Sequence, residues 1–125
     1  MELKNIMIVD DSRTSRLIIK RCFEIAGYHD TRYIEAEDGL DALTVLNDNP
    51  VDMIVSDLNM PKIDGISLVK KLKQNEKTAP IHILIISSMD NEILINELKS
   101  LGIFGFINKP ISPAKILEVL GERNG

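Results

Sequence analysis

The sequence has a single cysteine, no long apolar run and no excess of basic residues. Cys22 alone excludes an intramolecular disulfide framework and a zinc site built from several cysteines. No run of about 18 apolar residues occurs, and the apolar segment Ile6–Val9 is far too short for a signal peptide. Fifteen Lys and Arg residues against nineteen Asp and Glu give a net charge of −4, which argues against nucleic-acid binding. We therefore expect a cytoplasmic protein with neither a membrane segment nor a nucleic-acid partner.

The composition and the length are those of one globular domain. Hydrophobic residues make up 44% of the 125 residues and charged residues 27%, which argues against disorder. Domains usually contain about 100–150 residues, and no linker, repeat or low-complexity stretch interrupts this chain. The sequence therefore predicts one domain over residues 1–125.

Short apolar runs alternate with longer amphipathic segments along the chain. Continuous apolar runs rich in β-branched residues predict buried strands, and one weaker run predicts an edge strand. The predicted strands are residues 6–9, 31–35, 51–56, 81–86 and 103–107. The predicted helices are residues 13–26, 38–47, 63–73, 91–101 and 113–120. In the first helix the pattern predicts a broad inner face made of Leu17, Ile18, Cys22, Phe23 and Ile25.

This alternation predicts an α/β fold, a three-layer sandwich in which helices cover both faces of a parallel sheet. In the flavodoxin-like (βα)5 arrangement the strand order is 2-1-3-4-5, so the first and third strands are neighbours. Ligand sites of such sheets lie outside the carboxyl ends of the strands. The polar residues at those ends are Asp10, Asp11, Asp57, Ser87 and Lys109.

Three carboxylates in one pocket repel each other strongly. Two unit charges about 5 Å apart repel by roughly 3 kcal/mol at an effective dielectric constant near 20. A divalent cation, a lysine or a proton must therefore compensate, and oxygen ligands suit Mg²⁺. Together with a lysine and a hydroxyl, such a site suits a phosphoryl group, whose transfer depends mainly on positioning and charge neutralisation. An aspartate in it can act as the nucleophile and become an aspartyl phosphate.

Four motifs at four strand ends carry a resemblance to a known family. They are Val9-Asp10-Asp11-Ser12, Asp57-Leu58-Asn59-Met60-Pro61-Lys62-Ile63-Asp64-Gly65, Ile86-Ser87-Ser88 and Asn108-Lys109-Pro110. With this set, the chain resembles the response-regulator receiver domains of two-component signalling, of the stand-alone CheY-like type, over about residues 4–120.

The resemblance implies a role for each residue of the pocket. Asp57 would be the phospho-acceptor, and Ser87 and Lys109 would bind the phosphoryl group. The ligands of Mg²⁺ (or Mn²⁺) would be Asp10, Asp11, Asp57 and the backbone carbonyl of Asn59. Met89 stands where the chemotaxis protein of this family has an acidic residue, which leaves the dephosphorylation rate open.

The resemblance also implies partners. The phosphoryl donor would be a sensor histidine kinase, a phosphotransfer protein or a small phosphodonor, and the Lys-Pro bond after the last strand would often be cis. Phe106 would be a switch aromatic, with Ile95, expected to face solvent, and Lys115 on the surface that binds a downstream target. The protein would be a monomer that can dimerise on phosphorylation, and chemotaxis and a phosphorelay shuttle are both open as its pathway.

Simpler interpretations exist for single motifs. Asp11-Ser12 alone is typical of a helix N-cap, and Asp64-Gly65 indicates a turn and a helix start rather than a ligand. Arg13 and Arg16 either shape kinase docking or form a solvated helix face.

Other functional classes fit less well. A flavin carrier needs a phosphate-binding loop after the first strand, but Asp10-Asp11 there repels phosphate. A haloacid-dehalogenase-type phosphatase needs a second Asp two residues after its nucleophile, and position 59 is Asn, so we expect no enzyme for external substrates. The G-x-G-x-x-G motif of dinucleotide enzymes is absent. A receiver that works as an interaction module without phosphorylation stays open.

Overall fold

Strands and helices alternate five times in the computed structural model, which describes residues 2–60, 62–88 and 91–121. The strands are β1 (Asn5–Val9), β2 (Arg32–Ala36), β3 (Met53–Asp57), β4 (His82–Ser87) and β5 (Gly105–Asn108). The helices are α1 (Arg13–Ile25), α2 (Gly39–Leu46), α3 (Gly65–Gln74), α4 (Glu92–Ser100) and α5 (Pro113–Leu120). None of these described helices is long and apolar enough to cross a membrane. All ten elements overlap their predicted segments, with ends that differ by up to two residues.

The sheet has the predicted order, β2-β1-β3-β4-β5, and all four strand pairings are parallel. The register aligns the last residues of neighbouring strands, because Val9 pairs with Ser56 and Ser87 pairs with Asn108. The carboxyl ends of β1, β3, β4 and β5 therefore meet at one edge.

The three inner strands β1, β3 and β4 bury side chains on both faces of the sheet. Ile6 and Ile8 of β1 pack in the hydrophobic cluster that contains α1 and α5 residues, while Met7 and Val9 belong to the cluster on the opposite face. That second cluster includes side chains from α2, α3 and α4, such as Leu68. The predicted three layers are thus confirmed, and the continuous apolar runs are explained by burial on both sides.

The broad inner face predicted for α1 is wrong for three of its five residues. Cys22 and Phe23 are buried, and burial raises the pKa of the Cys22 thiol. Leu17, Ile18 and Ile25 are 53%, 50% and 73% exposed. The helix buries only the stripe around Ile19, Cys22 and Phe23, which follows the i, i+3, i+4 spacing of one face, and the other apolar residues flank it.

Polar residues cap the start of every described helix. Ser12 accepts a hydrogen bond from the backbone N–H of Ser15, and Asp64 accepts one from Ser67, which confirms the helix-start interpretation of Asp64-Gly65. The other N-caps are Asp38, Asn91 and Ser112. These caps fix where each helix leaves the edge of the sheet at which the strands end.

Two loops at this edge are joined by an ion pair that the sequence did not indicate. Asp38, 4% exposed, accepts from the backbone N–H of Asp41 at 2.7 Å and lies 3.5 Å from Lys62 Nζ. Lys62 adopts a φ of 67°, in the left-handed region that non-glycine residues rarely occupy. The hydrogen bond from Asp41 and the charge of Lys62 hold the pKa of Asp38 below its usual value of 3.8 against the effect of burial.

Gly65 is where α3 comes closest to the end of β3. A Cβ added to it would lie 2.8 Å from the Cα of Leu58 and 2.9 Å from the carbonyl oxygen of Asp57. Both are backbone atoms, so the contact cannot be relieved by rotating a side chain. Gly65 therefore lets the helix start directly beside Asp57.

We expect Gly65→Ala to lower the free energy of unfolding by about 1–3 kcal/mol, the usual cost of forcing extra atoms into a packed site. Urea denaturation followed by far-UV circular dichroism measures this difference. Ser67→Ala, in the same helical turn, is the control and should change stability by less than about 0.5 kcal/mol. Equal unfolding curves for the two variants would contradict the steric argument.

The ion pair predicts a pH-dependent contribution of Asp38 to stability. Because the pKa of Asp38 is lower in the folded chain, its contribution is complete above the unfolded pKa and is lost as the pH falls through the folded pKa. Asn also caps helices, so Asp38→Asn removes the charge and keeps the cap. The stability difference between wild type and this variant should shrink as the pH falls from about 6 to 3, measured by urea denaturation. Lys62→Gln should weaken this pH dependence without removing it, and a difference that is constant with pH would refute the prediction.

Candidate functional site

Three carboxylates meet where β1 and β3 end, as the strand order predicts. Asp10 and Asp11 follow β1, and Asp57 is the last residue of β3. One ligand oxygen from each lies within 4.8 Å of the others. Asp10 is 1% exposed and Asp57 is 8% exposed, while Asp11 is open to solvent. The charges are therefore concentrated in a pocket that is mostly shielded from water.

Neutral donors hold the carboxylate of Asp10. The backbone N–H of Ser12 donates to its Oδ1 at 2.8 Å, and the hydroxyl of Ser15 donates to its Oδ2 at 2.7 Å. Arg16 donates to the backbone carbonyl of Asp10 at 2.7 Å and to Glu35 Oε1 at 2.8 Å. Arg16 thus braces the first strand end and is only 14% exposed, so it is not part of a solvated face. Nothing in the sequence singles out Ser15, since a serine in a first helical turn is common.

A cation faces Asp57. Lys109 Nζ lies 3.4 Å from Asp57 Oδ2 and 3.9 Å from Asp10 Oδ2. The other oxygen of Asp57, Oδ1, accepts from the backbone N–H of Leu58 at 2.8 Å. Lys109 offsets part of the repulsion in the cluster, and it lies closer to Asp57 than to Asp10.

Strand β4 and the segment after β5 meet beside this lysine. The backbone N–H of Lys109 donates to the carbonyl of Ser87 at 2.9 Å, and the Lys109-Pro110 bond is cis, as the resemblance implied. Ser87 is fully buried at the end of β4. All five predicted pocket residues thus lie at adjoining strand ends.

The acidic cluster suits a divalent cation. Oxygen ligands on opposite sides of Mg²⁺ are about 4.2 Å apart, twice a bond of roughly 2.1 Å. Ligand oxygens within 4.8 Å of one another need only small rotations to reach that spacing, and the exposed Asp11 can make them. Asn59 is exposed in the loop after β3. Asp10, Asp11 and Asp57 could therefore hold a metal.

The predicted switch surface is only partly as expected. Phe106 is partly buried and packs against the hydrophobic cluster that contains α4. Lys115 of α5 donates to the carbonyls of Asn108 and Pro110 at 3.0 and 2.8 Å. Ile95 was expected to face solvent, but it is partly buried, and Ile93 is the apolar residue of α4 that is exposed, at 81%. Met89 lies outside the described residues.

Comparisons with known proteins agree with this geometry. The family model for the response regulator receiver domain matches residues 6–121. Chemotaxis protein CheY-3 of Vibrio cholerae is 36% identical over 115 residues, 92% of this chain and 87% of that protein. The chemotaxis protein CheY homolog of Campylobacter jejuni is 32% identical over 125 residues, 96% of this chain and 95% of that protein.

Solved structures support the same assignment. The structure of the chemotaxis response regulator CheY4 of Vibrio cholerae matches with a TM-score of 0.81 and 28% identity, and the match covers 95% of this chain and 97% of that one. Receiver domains are phospho-accepting switches of two-component systems, and a pocket of three carboxylates and a lysine fits that chemistry. The chain belongs to the response regulator receiver domain family.

Proposed function

We propose that this chain is a response regulator receiver that accepts a phosphoryl group on Asp57. The observation that carries the proposal is the ammonium of Lys109 3.4 Å from Asp57 Oδ2, beside two further carboxylates. In this proposal Mg²⁺ (or Mn²⁺) is held by Asp10, Asp11, Asp57 and the carbonyl of Asn59. The metal supplies positive charge for the phosphoryl oxygens when it is bound.

Each residue then has a defined task in the transfer. A carboxylate oxygen of Asp57 forms the bond to phosphorus, and the bond to the leaving group breaks with its electron pair. Lys109 neutralises charge on the phosphoryl oxygens, since it already faces Asp57. Ser87, at the end of the adjacent strand, donates its hydroxyl to a phosphoryl oxygen of the product. Side chains of this chain thus supply both the nucleophile and most of the positioning.

The phosphoryl donor is a sensor histidine kinase or a phosphotransfer protein that docks on α1, or a small phosphodonor. Leu17 and Ile18 expose about half of their surface there. A crevice of about 340 Å³, lined in part by Ile18, Pro110 and Ile111, opens between α1 and the segment that carries Lys109. An apolar donor surface seated on it would lie next to the acidic pocket.

The output passes through the face formed by α4, β5 and α5. Lys115 binds the carbonyls on both sides of Lys109, so a movement of Lys109 toward a phosphoryl group alters its contacts. Phe106 and Lys115 line one shallow cavity of about 210 Å³ on this face. A downstream protein bound there, or a second phosphorylated copy, would sense the change. The relatives are named chemotaxis proteins, and chemotaxis in the cytoplasm is the first pathway we propose, with a phosphorelay as the alternative.

We expect incubation with a small acyl phosphate and Mg²⁺ to add one phosphoryl group to the wild-type chain. Asp57→Asn should abolish it, because a neutral amide lacks the negatively charged carboxylate that acts as the nucleophile. Intact-mass spectrometry at neutral pH measures the product. Asp64→Asn is the control, since Asp64 only caps α3, and it should be labelled like wild type. Labelling of the Asp57 variant would refute the assignment, and absence of label in every variant would favour a module that works without phosphorylation.

Docking on α1 predicts that Ile18→Asp slows transfer from a cognate histidine kinase by about tenfold or more, as for other buried interface anchors. The rate from a small acyl phosphate should stay unchanged, because that donor needs no docking surface. Ile25→Asp is a matched control, since Ile25 is 73% exposed and lies about 10 Å farther along the same helix. Rapid-quench kinetics with the phosphorylated kinase measure both rates, and equal effects of the two variants would place the donor elsewhere.

A further inference from the structure

Asp10 is the most deeply buried of the three acidic residues, and each of its oxygens has its own donor. Oδ1 accepts from the Ser12 N–H at 2.8 Å and Oδ2 from the Ser15 hydroxyl at 2.7 Å. A buried carboxylate is costly unless such bonds satisfy it. The Ser15 hydroxyl is the only described side chain hydrogen-bonded to this carboxylate.

The position of Ser15 is fixed by the start of α1. Its backbone N–H donates to the hydroxyl of the N-cap residue Ser12 at 3.2 Å. This places the third residue of the helix over the end of β1, where its side chain reaches Asp10. Arg13 and Thr14, the two residues before it, are exposed. The side chain of Ser15 therefore points toward Asp10, whereas its two neighbours in the same turn face solvent.

Lys109 and Ser15 compete for the same oxygen. Lys109 Nζ lies 3.9 Å from Asp10 Oδ2, the atom that Ser15 already binds, and 3.4 Å from Asp57 Oδ2. Without the hydroxyl, the nearest strong donor for that oxygen would be the ammonium. The lysine would then move from Asp57 toward Asp10, and its positive charge would oppose a cation at Asp10.

We propose that Ser15 is a positioning residue: its hydroxyl holds Asp10 as a metal ligand and keeps Lys109 directed at Asp57. A neutral donor can do this without cancelling the charge of the carboxylate, so Asp10 still attracts a divalent cation. The role of Ser15 in phosphoryl transfer rests on the proposed function. Its effect on cation binding can be measured without any phosphoryl donor.

The test compares four variants by calorimetric titration with MgCl₂ and by urea denaturation. Ser15→Ala should weaken Mg²⁺ binding about five- to tenfold, the net size expected for the loss of one ordinary hydrogen bond. Ser15→Thr keeps the hydroxyl, and the crevice beside Ser15 has room for a methyl group, so affinity should return to within about twofold of wild type. Thr14→Ala, which lines the same crevice, should bind like wild type.

Asn91→Ala separates positioning from loss of structure. It removes the N-cap of α4, a different helix, so it should lower stability while leaving the Ser15–Asp10 bond and the Mg²⁺ affinity intact. If Asn91→Ala weakens Mg²⁺ binding as much as Ser15→Ala, the effect is only structural and the proposal is wrong. It is also wrong if Ser15→Ala binds Mg²⁺ like wild type or if Ser15→Thr fails to restore binding.

Labelling with a small acyl phosphate separates this inference from the proposed function. At a Mg²⁺ concentration below saturation Ser15→Ala should be labelled about five- to tenfold more slowly, and saturating Mg²⁺ should restore only part of the rate because Lys109 stays displaced. If wild type takes no label but Ser15→Ala still loses Mg²⁺ affinity, the proposed function fails and the positioning role stands. If labelling occurs and the affinities are equal, the positioning role fails alone.

Discussion

The repulsion among three carboxylates is the constraint on which the rest of the site depends. Their ligand oxygens lie within 4.8 Å of one another, a spacing at which each pair of charges costs roughly 3 kcal/mol. The fold opposes this with Lys109 and with neutral donors on the two buried members, Asp10 and Asp57. Each donor comes from a segment that follows a strand end. The cluster therefore depends on the strand order and on the positions at which the helices begin. The start of α3 also depends on Gly65, because any larger residue there would push the helix away from Asp57.

The parts predicted from sequence are those that depend on local pattern and general topology. Apolar runs and helical spacing predicted the five β-α units that the structure shows. Because ligand sites of parallel sheets lie at the carboxyl ends of the strands, the sequence also predicted that the three acids, Ser87 and Lys109 lie at one edge of the sheet. Periodicity failed on α1, because Ile18 and Ile25 are apolar yet flank the buried stripe. It failed likewise on α4, where Ile93 is exposed and Ile95 is partly buried. Exposed apolar residues look the same in sequence as apolar residues of the core.

Other features arise from contacts between distant segments, which a single sequence does not encode in any local signal. The pairing of Asp38 with Lys62 depends on a left-handed backbone at Lys62, a conformation that lysine does not indicate. The bond from Ser15 to Asp10 depends on how α1 starts relative to the end of β1. Arg16 was open to two interpretations until its two short hydrogen bonds to Asp10 and Glu35 showed a structural task. These contacts decide how the groups of the acidic pocket are held, whereas the motifs indicate only which groups lie in the pocket.

The charges of the cluster also bear on the proposed phosphorylation of Asp57. In formal charges, three carboxylates (−3) and one lysine (+1) leave a net −2, which a single divalent cation would balance. In the proposed function, a phosphoryl group on Asp57 would add negative charge to this site beside Lys109, whose side chain is one-third exposed. Its backbone is bonded to Ser87, and the carbonyls on either side of it are held by Lys115 of α5. These hydrogen bonds connect the charged pocket directly to the outer face of β5 and α5.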